Sequence, residues 1–296
     1  MIKILAIDGG GIRGVIPATV LAYLEKQMGK PCREVFDYMV GTSTGGMLSL
    51  ALSRKNALSA DAMWGVYREY GPQIFHRGFT WSLRSLGNLN GPKYDVAALT
   101  RCAEACLGTD KLGDAATHAM VTSYDLKARA PQFFSSYATP TISMVDAALS
   151  TSAAPTYFTP HGSYVDGGVC DNNPALSGVI EACKIEGCTV RDVLVLSLGT
   201  GSDMVAYDGK AASWGLLSWA QKLPSIFMDG TSGLHEYHLR RLLPNENVLR
   251  LQCQVDGPLA EMDNASDSNL TALHTAGYLL ATQQRKLLDD FMGRLA

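Results

Sequence analysis

No stretch of the 296 residues approaches the roughly 18 consecutive apolar positions that a membrane-spanning helix requires. Contact with a bilayer is therefore expected to be peripheral. Positive charge is also short. A formal net charge of −3 and a sequence pI of about 6.1 leave no electrostatic case for nucleic acid, and argue against a strongly basic membrane-binding surface. No Cys-x-x-Cys pair occurs among the seven cysteines, Cys32, Cys102, Cys106, Cys170, Cys183, Cys188 and Cys253. Cys102 and Cys106 fit one helix face, but no matching histidine pair completes a zinc site, so no metal is expected. These cysteines read as reduced, mostly buried thiols of a cytosolic protein. A secretory leader is not expected either: "MIKILAI" opens with one lysine and an apolar run, but Asp8 and three glycines end it too soon. The expected location is the cytoplasm. Neither a solenoid-period repeat nor a low-complexity linker breaks the chain, and a single domain over 1–296 is the economical reading.

What is present is enough apolar matter for a core: 47% of residues are hydrophobic and 18% charged. "IKILAI", apart from Lys3, is an apolar run of strand length, as expected of a strand covered on both faces. "DGGGIRG" follows, then "VIPATVLAYLEKQMG", whose apolar spacing fits a helix ending at Gly29. A second strand, "VFDYMV", leads into "GTSTGG" and a helix, "MLSLALSRK". Further strand candidates are 118–126, 132–138 and 192–201; 238–243 and 273–295 read as closing helices, and 51–114 as an insertion or lid. Alternating strands and helices predict an α/β fold: a mainly parallel central sheet with helices on both faces, in three layers.

The chemistry starts at Gly41–Gly46. Gly-x-Ser-x-Gly between a strand and a helix (Gly41, Ser43 and Gly45) fits a nucleophile elbow, which holds a serine hydroxyl out in a cleft. Serine is a poor nucleophile until a base takes its proton and something receives the charge on the attacked carbonyl. Gly9, Gly10 and Gly11 follow a strand and open a helix, where consecutive backbone N–H groups can face one point and form an anion cradle, with Arg13 placed to strengthen it. Gly9, Gly11 and Gly14 also match the dinucleotide fingerprint Gly-x-Gly-x-x-Gly, so a nucleotide-binding regulatory module is one alternative. A Rossmann unit wants an acidic residue at the end of its second strand, and here that strand ends in the serine turn. For the base, an α/β-hydrolase would use one of the later histidines, namely His76, His118, His161, His235, His238 or His274, and no motif singles any of them out. "YVDGGVCDNNP" puts Asp166 at a strand end before Gly167 and Gly168. That is either a turn former or a carboxylate able to accept the serine proton directly.

"DGGGIRG", "GTSTGG" and "DGG", in this order, resemble the patatin-like lipid acyl hydrolases, and "ALSTSAAPTYF", "NNPA", "VLSLGTG" and "FMDG…YHLRRLL" extend the resemblance over most of the chain. The resemblance implies a Ser–Asp dyad with Ser43 as nucleophile and Asp166 as base. It implies an oxyanion hole from backbone amides of the Gly9–Gly11 loop, and no metal or cofactor. It also implies ester hydrolysis of phospholipid or galactolipid, through an acyl-enzyme. A small-molecule activator is open, because bacterial relatives include effectors switched on by a signal molecule. For the lipid surface, the aromatic stretches 213–223 (Trp214, Leu216, Leu217, Trp219) and 79–86 (Trp81, Leu83, Leu86) are the candidates, with core packing as the alternative.

Overall fold

The computed structural model describes residues 1–78, 91–203, 207, 209 and 211–295. β1 (Ile2–Ile7) starts the chain and takes an interior place in the sheet, parallel to both β2 (Tyr38–Gly41) and β6 (Val193–Leu198). With β3 (His118–Asp125), β4 (Ala130–Ser135) and β8 (Val248–Leu251), the order is β4–β3–β2–β1–β6–β8. A seventh strand, β5 (Tyr164–Asp166), pairs with β3, and β7 (Ser202–Asp203) with β9 (Gln254–Val255) form a separate parallel pair.

Side chains of an extended strand alternate between faces, so a strand buried on both sides feeds two cores. β1 does this: Leu5 and Ile7 enter one hydrophobic cluster, Ile4 and Ala6 the other. β6 repeats it, with Leu194, Leu196 and Leu198 on the first side and Val193 and Val195 on the second. The larger first layer is built by α1 (Val15–Met28), α3 (Thr44–Ser53), α4 (Ala60–Ile74), α5 (Ala97–Leu107), α6 (Met144–Ser152), α9 (Asp267–Gln283) and α10 (Arg285–Leu295). One helical turn, α2 (Cys32–Val35), precedes β2. The second layer holds α7 (Ala175–Glu186) and the C-terminal end of α8 (Leu216–Leu242). This is the expected three-layer α/β architecture with a mainly parallel sheet. Among the described residues no helix is long and apolar enough to cross a membrane.

Local chemistry explains several boundaries. α1 stops at Gly29, which takes the left-handed conformation (φ 64°) and donates its N–H to Glu25 O. Ser59 and Ser143 cap α4 and α6 by accepting N–H bonds from Ala62 (3.2 Å) and Asp146 (2.9 Å). β4 starts at Ala130, earlier than the sequence pattern suggested, because Ala130 pairs back on Asp125 across a tight turn. The stretch 51–114 contributes α4 and α5 to the main core, while 79–90, with Trp81, Leu83 and Leu86, lies outside the described residues.

The placement of β5 decides the site. β4 occupies one edge of β3 from Met120 to Asp125. β2 takes the other edge only as far as Val121, opposite Gly41. β5 fills the rest of that edge, antiparallel, with Asp166 opposite Ser123. The end of β5 therefore meets the end of β2, where the serine turn begins.

Candidate active site

Ser43 joins β2 to α3 in a conformation L-residues avoid, φ 55° and ψ −123°. Such strain costs about 1–3 kcal/mol and persists only where the surroundings hold it. The turn is packed hard against the end of β1. A Cβ on Gly45 would lie 2.6 Å from the Asp8 carbonyl oxygen, so only glycine lets α3 begin there. Thr42 pins the strand end, its hydroxyl 2.7 Å from Thr122 Oγ1 and donating to Asp171 O at 2.7 Å.

Asp166 is buried, 5% exposed, and its pKa is pushed up to about 6. Burial is the main cause, since an ionised carboxylate loses hydration there. The neighbouring Ser43 hydroxyl and the Gly168 N–H, which donates to Oδ1 at 2.7 Å, pull it partly back down. Ser43 and Asp166 thus stand together, although 123 positions separate them in the sequence. A carboxyl with a pKa near neutrality, in contact with a hydroxyl, has the basicity that general-base chemistry needs at cellular pH.

The glycine loop lies on the other side of Ser43. Its start is anchored by Asp8, held by both terminal nitrogens of Arg250 at 2.8 and 2.6 Å. Gly9 donates its N–H to Asn172 O (3.2 Å) and accepts from Thr200 Oγ1 (2.7 Å). Its amide is therefore engaged, which corrects the expectation that it serves the cradle. Ile12 N–H goes to Met262 O (2.9 Å) and Arg13 N–H to Gly10 O (3.2 Å). The Gly10 and Gly11 amides have no protein acceptor among the described residues, and both residues line the cleft with Ser43. Arg13 needs a second correction. The 3₁₀ turn Gly11–Gly14 folds its side chain back, buried, so that Nε donates to Gly10 O (3.4 Å) and the residue does not line the cleft. It braces the loop from behind. Gly14 closes this turn against the hydroxyls of Tyr67 and Thr44.

Ser43, Asp166, Gly10, Gly11 and Gly168 line a cleft of about 730 Å³. α4 supplies one wall (Met63, Tyr67, Ile74) and α8 another (Leu223, Phe227, Met228). Apart from Asp166, no described residue lining the cleft is charged. None of the six histidines lines it. His118 stacks on Tyr38, His161 pairs with Asp146, His274 packs tilted against Trp64, and His235 binds Asp171 at 2.7 Å. Phe227 is 52% exposed and Trp219, two turns before it on α8, is 39% exposed. Trp214 packs edge-on against Trp219; the side chains of Leu216 and Leu217 lie outside what is described.

Sequence patterns missed Thr42, Thr151, Asn172 and the α8 wall. Thr151 accepts the Ser43 N–H at 2.9 Å, and Asn172 bridges the glycine loop to Ser232 on α8 at 3.0 Å. A threonine or asparagine in a helix or loop carries no local mark of such long-range bonds.

Comparison with known proteins gives the same arrangement a lineage. The sequence pattern of the family described as "Patatin-like phospholipase" matches residues 5–179. Patatin-like protein 2 of Arabidopsis thaliana is 34% identical, covering 94% of this chain and 82% of its own length. Patatin group J-1 of Solanum tuberosum is 31% identical over 95% of this chain and 84% of its own. Among solved structures, VipD from Legionella pneumophila aligns over 98% of this chain and 67% of its own with a TM-score of 0.46 and 15% identity, a likeness that adds no argument. A family match over more than half of the chain, with relatives above 30% identity along nearly all of it, leads to one conclusion: the chain belongs to the patatin-like phospholipase family.

Proposed function

We propose that the protein is a serine lipid acyl hydrolase, cleaving fatty-acyl esters of phospholipid or galactolipid through Ser43 and Asp166. The observation that carries this reading is a buried carboxyl with a pKa of about 6 touching a strained serine at the wall of an apolar cleft. In this mechanism the acyl chain lies along the cleft and places its ester carbonyl over Ser43. Asp166 takes the hydroxyl proton as Oγ bonds to the carbonyl carbon, and the oxyanion accepts the Gly10 and Gly11 N–H bonds. The tetrahedral adduct collapses, the alcohol leaves with the proton from Asp166, and an acyl-Ser43 ester is left. Water then attacks that ester, giving its proton to Asp166, and the fatty acid departs as Ser43 regains its hydrogen. The absence of histidine from the described lining favours this dyad over a histidine-dependent hydrolase. The serine turn at the end of β2, where an acidic residue would bind a ribose, weighs against a nucleotide module.

The reading includes a cytoplasmic protein of one domain that meets lipid peripherally, by the exposed apolar side of α8 at Trp219 and Phe227. Mass spectrometry of the purified protein acting on mixed phospholipid–galactolipid vesicles should find free fatty acid and lyso-lipid. Product no greater than with Ser43→Ala would end the proposal. Trp219→Ser should slow the reaction on vesicles several-fold and leave hydrolysis of a soluble short-chain ester unchanged; equal rates on vesicles would remove α8 as the lipid-facing side.

The glycine loop has its own test. A Cβ on Gly10 would fall 2.6 Å from Thr200 Cβ, a clash between two ordered elements that must move the loop and misaim its amides. Gly10→Ala should therefore cut turnover by about 10²–10³, the loss that removal of one oxyanion donor causes elsewhere, with a smaller change in KM. Wild-type turnover in that variant would exclude these amides as the charge receivers.

A further inference from the structure

Two bonds from one short segment reach both members of the dyad. Thr151 is fully buried in the last turn of α6, and its Oγ1 accepts the backbone N–H of Ser43 at 2.9 Å. Two residues on, the carbonyl of Ala153 accepts the backbone N–H of Asp166 at 3.0 Å. The segment is itself tied to β3 and β5: Ser123 Oγ donates to Val165 O at 2.7 Å, and Ser150 O lies 3.3 Å from the same hydroxyl. Close approach of α6 to the elbow depends on Gly46, where a Cβ would lie 2.8 Å from Thr151 Cγ2.

The strained serine needs such a partner. On its carbonyl side, Ser43 O accepts the Met47 N–H at 3.0 Å, the ordinary first bond of α3, which any helix start would make. On its amide side the only acceptor among the described residues is the Thr151 hydroxyl, supplied from a different helix. Without it, a buried N–H is left unpaired and the unusual φ/ψ loses one of its two constraints.

We infer that Thr151 is a positioning residue, and that the end of α6, through Thr151 Oγ1 and Ala153 O, sets the spacing between the Ser43 hydroxyl and the Asp166 carboxyl. Thr151 touches neither substrate nor reacting atoms and acts through the backbone of Ser43. The inference rests on the proposed function.

The test compares Thr151→Val, which keeps shape and loses the acceptor, with Thr151→Ser, which keeps the hydroxyl. Rates of Ser43 labelling by an organophosphonate are measured beside kcat and KM on a soluble ester. Thr151→Val should lose about 10–100-fold in both kcat and labelling rate, as displacements of about 1 Å at a reacting group do, while KM changes little. Thr151→Ser should stay within a few-fold of wild type. A second readout is the pH at which activity is half-maximal. The Ser43 hydroxyl lowers the Asp166 pKa, so its displacement in Thr151→Val should move that midpoint upward, a change that mere loss of stability would not cause. If Thr151→Val does not fold, Thr151→Ala is judged by the same two rates. Wild-type labelling by the folded Val or Ala variant, or a Ser variant as slow as Val, overturns the clamp and leaves the proposed function standing. Failure of wild-type Ser43 to label overturns both.

Discussion

Ser43→Ala should leave a folded chain that neither hydrolyses esters nor takes up an organophosphonate. Removing a catalytic nucleophile costs on the order of 10⁶ in turnover in a serine protease, because the residual environment can bind substrate but cannot form the covalent intermediate. The change removes one oxygen at a site 8% exposed and leaves the Cβ in place, so the circular dichroism spectrum should not change. The backbone strain at φ 55° survives in alanine but not in glycine. Ser43→Gly should therefore be equally inactive and better matched to the native turn than Ser43→Ala, which a comparison of melting temperatures will show. Intact-mass analysis after labelling, followed by peptide mapping, checks the assignment. A label at any other serine would remove Ser43 as the nucleophile.

Asp166→Asn separates a turn former from a base. Asparagine keeps the shape and can still accept the Gly168 N–H, so a turn role predicts little change in rate. A base role predicts a fall of about 10²–10⁴, the share usually ascribed to general-base catalysis. Stability provides a second sign. The Asp166 carboxyl has a pKa near 6 when folded against 3.8 in the unfolded chain, so the native state holds its proton more tightly. Below about pH 4 both states are protonated and burial carries no ionic penalty. As pH rises through 6 the folded carboxyl ionises in its buried place, and up to roughly 3 kcal/mol of stability is lost. Asparagine never ionises. Asp166→Asn should thus melt close to wild type near pH 4 and above it at pH 8, while wild-type activity rises with pH through a single midpoint near 6. Near-normal turnover in Asp166→Asn would end the dyad proposal; equal melting temperatures at pH 8 would mean the carboxyl is not held in a desolvated site.

The arrangement of layers was legible because it is local. Short apolar runs such as Ile2–Ile7 and Val193–Leu198 read as strands covered on both faces, and helix ends such as Gly29 follow from a single residue's conformational freedom. The serine turn could be read for the same reason, since a Gly-x-Ser-x-Gly between a strand and a helix depends only on near neighbours. Asp166 was legible as a turn carboxylate. Its meeting with Ser43 was implied by the family resemblance and not by local pattern, because it depends on β2 ending at Gly41, opposite Val121, and leaving the edge of β3 free for β5, a pairing between segments about 40 positions apart. Its raised pKa depends on burial contributed by the whole fold. The same holds for the parts that pattern reading placed wrongly or passed over. Gly9 and Arg13 looked like anion binders from spacing alone, but Asn172, 163 positions after Gly9, takes the Gly9 amide, and the turn after Gly11 folds Arg13 away from the cleft. The sequence by itself determined the sheet, the serine turn and the presence of a carboxylate. Only tertiary packing, which alone sets distances and removes water, decided that they form one site.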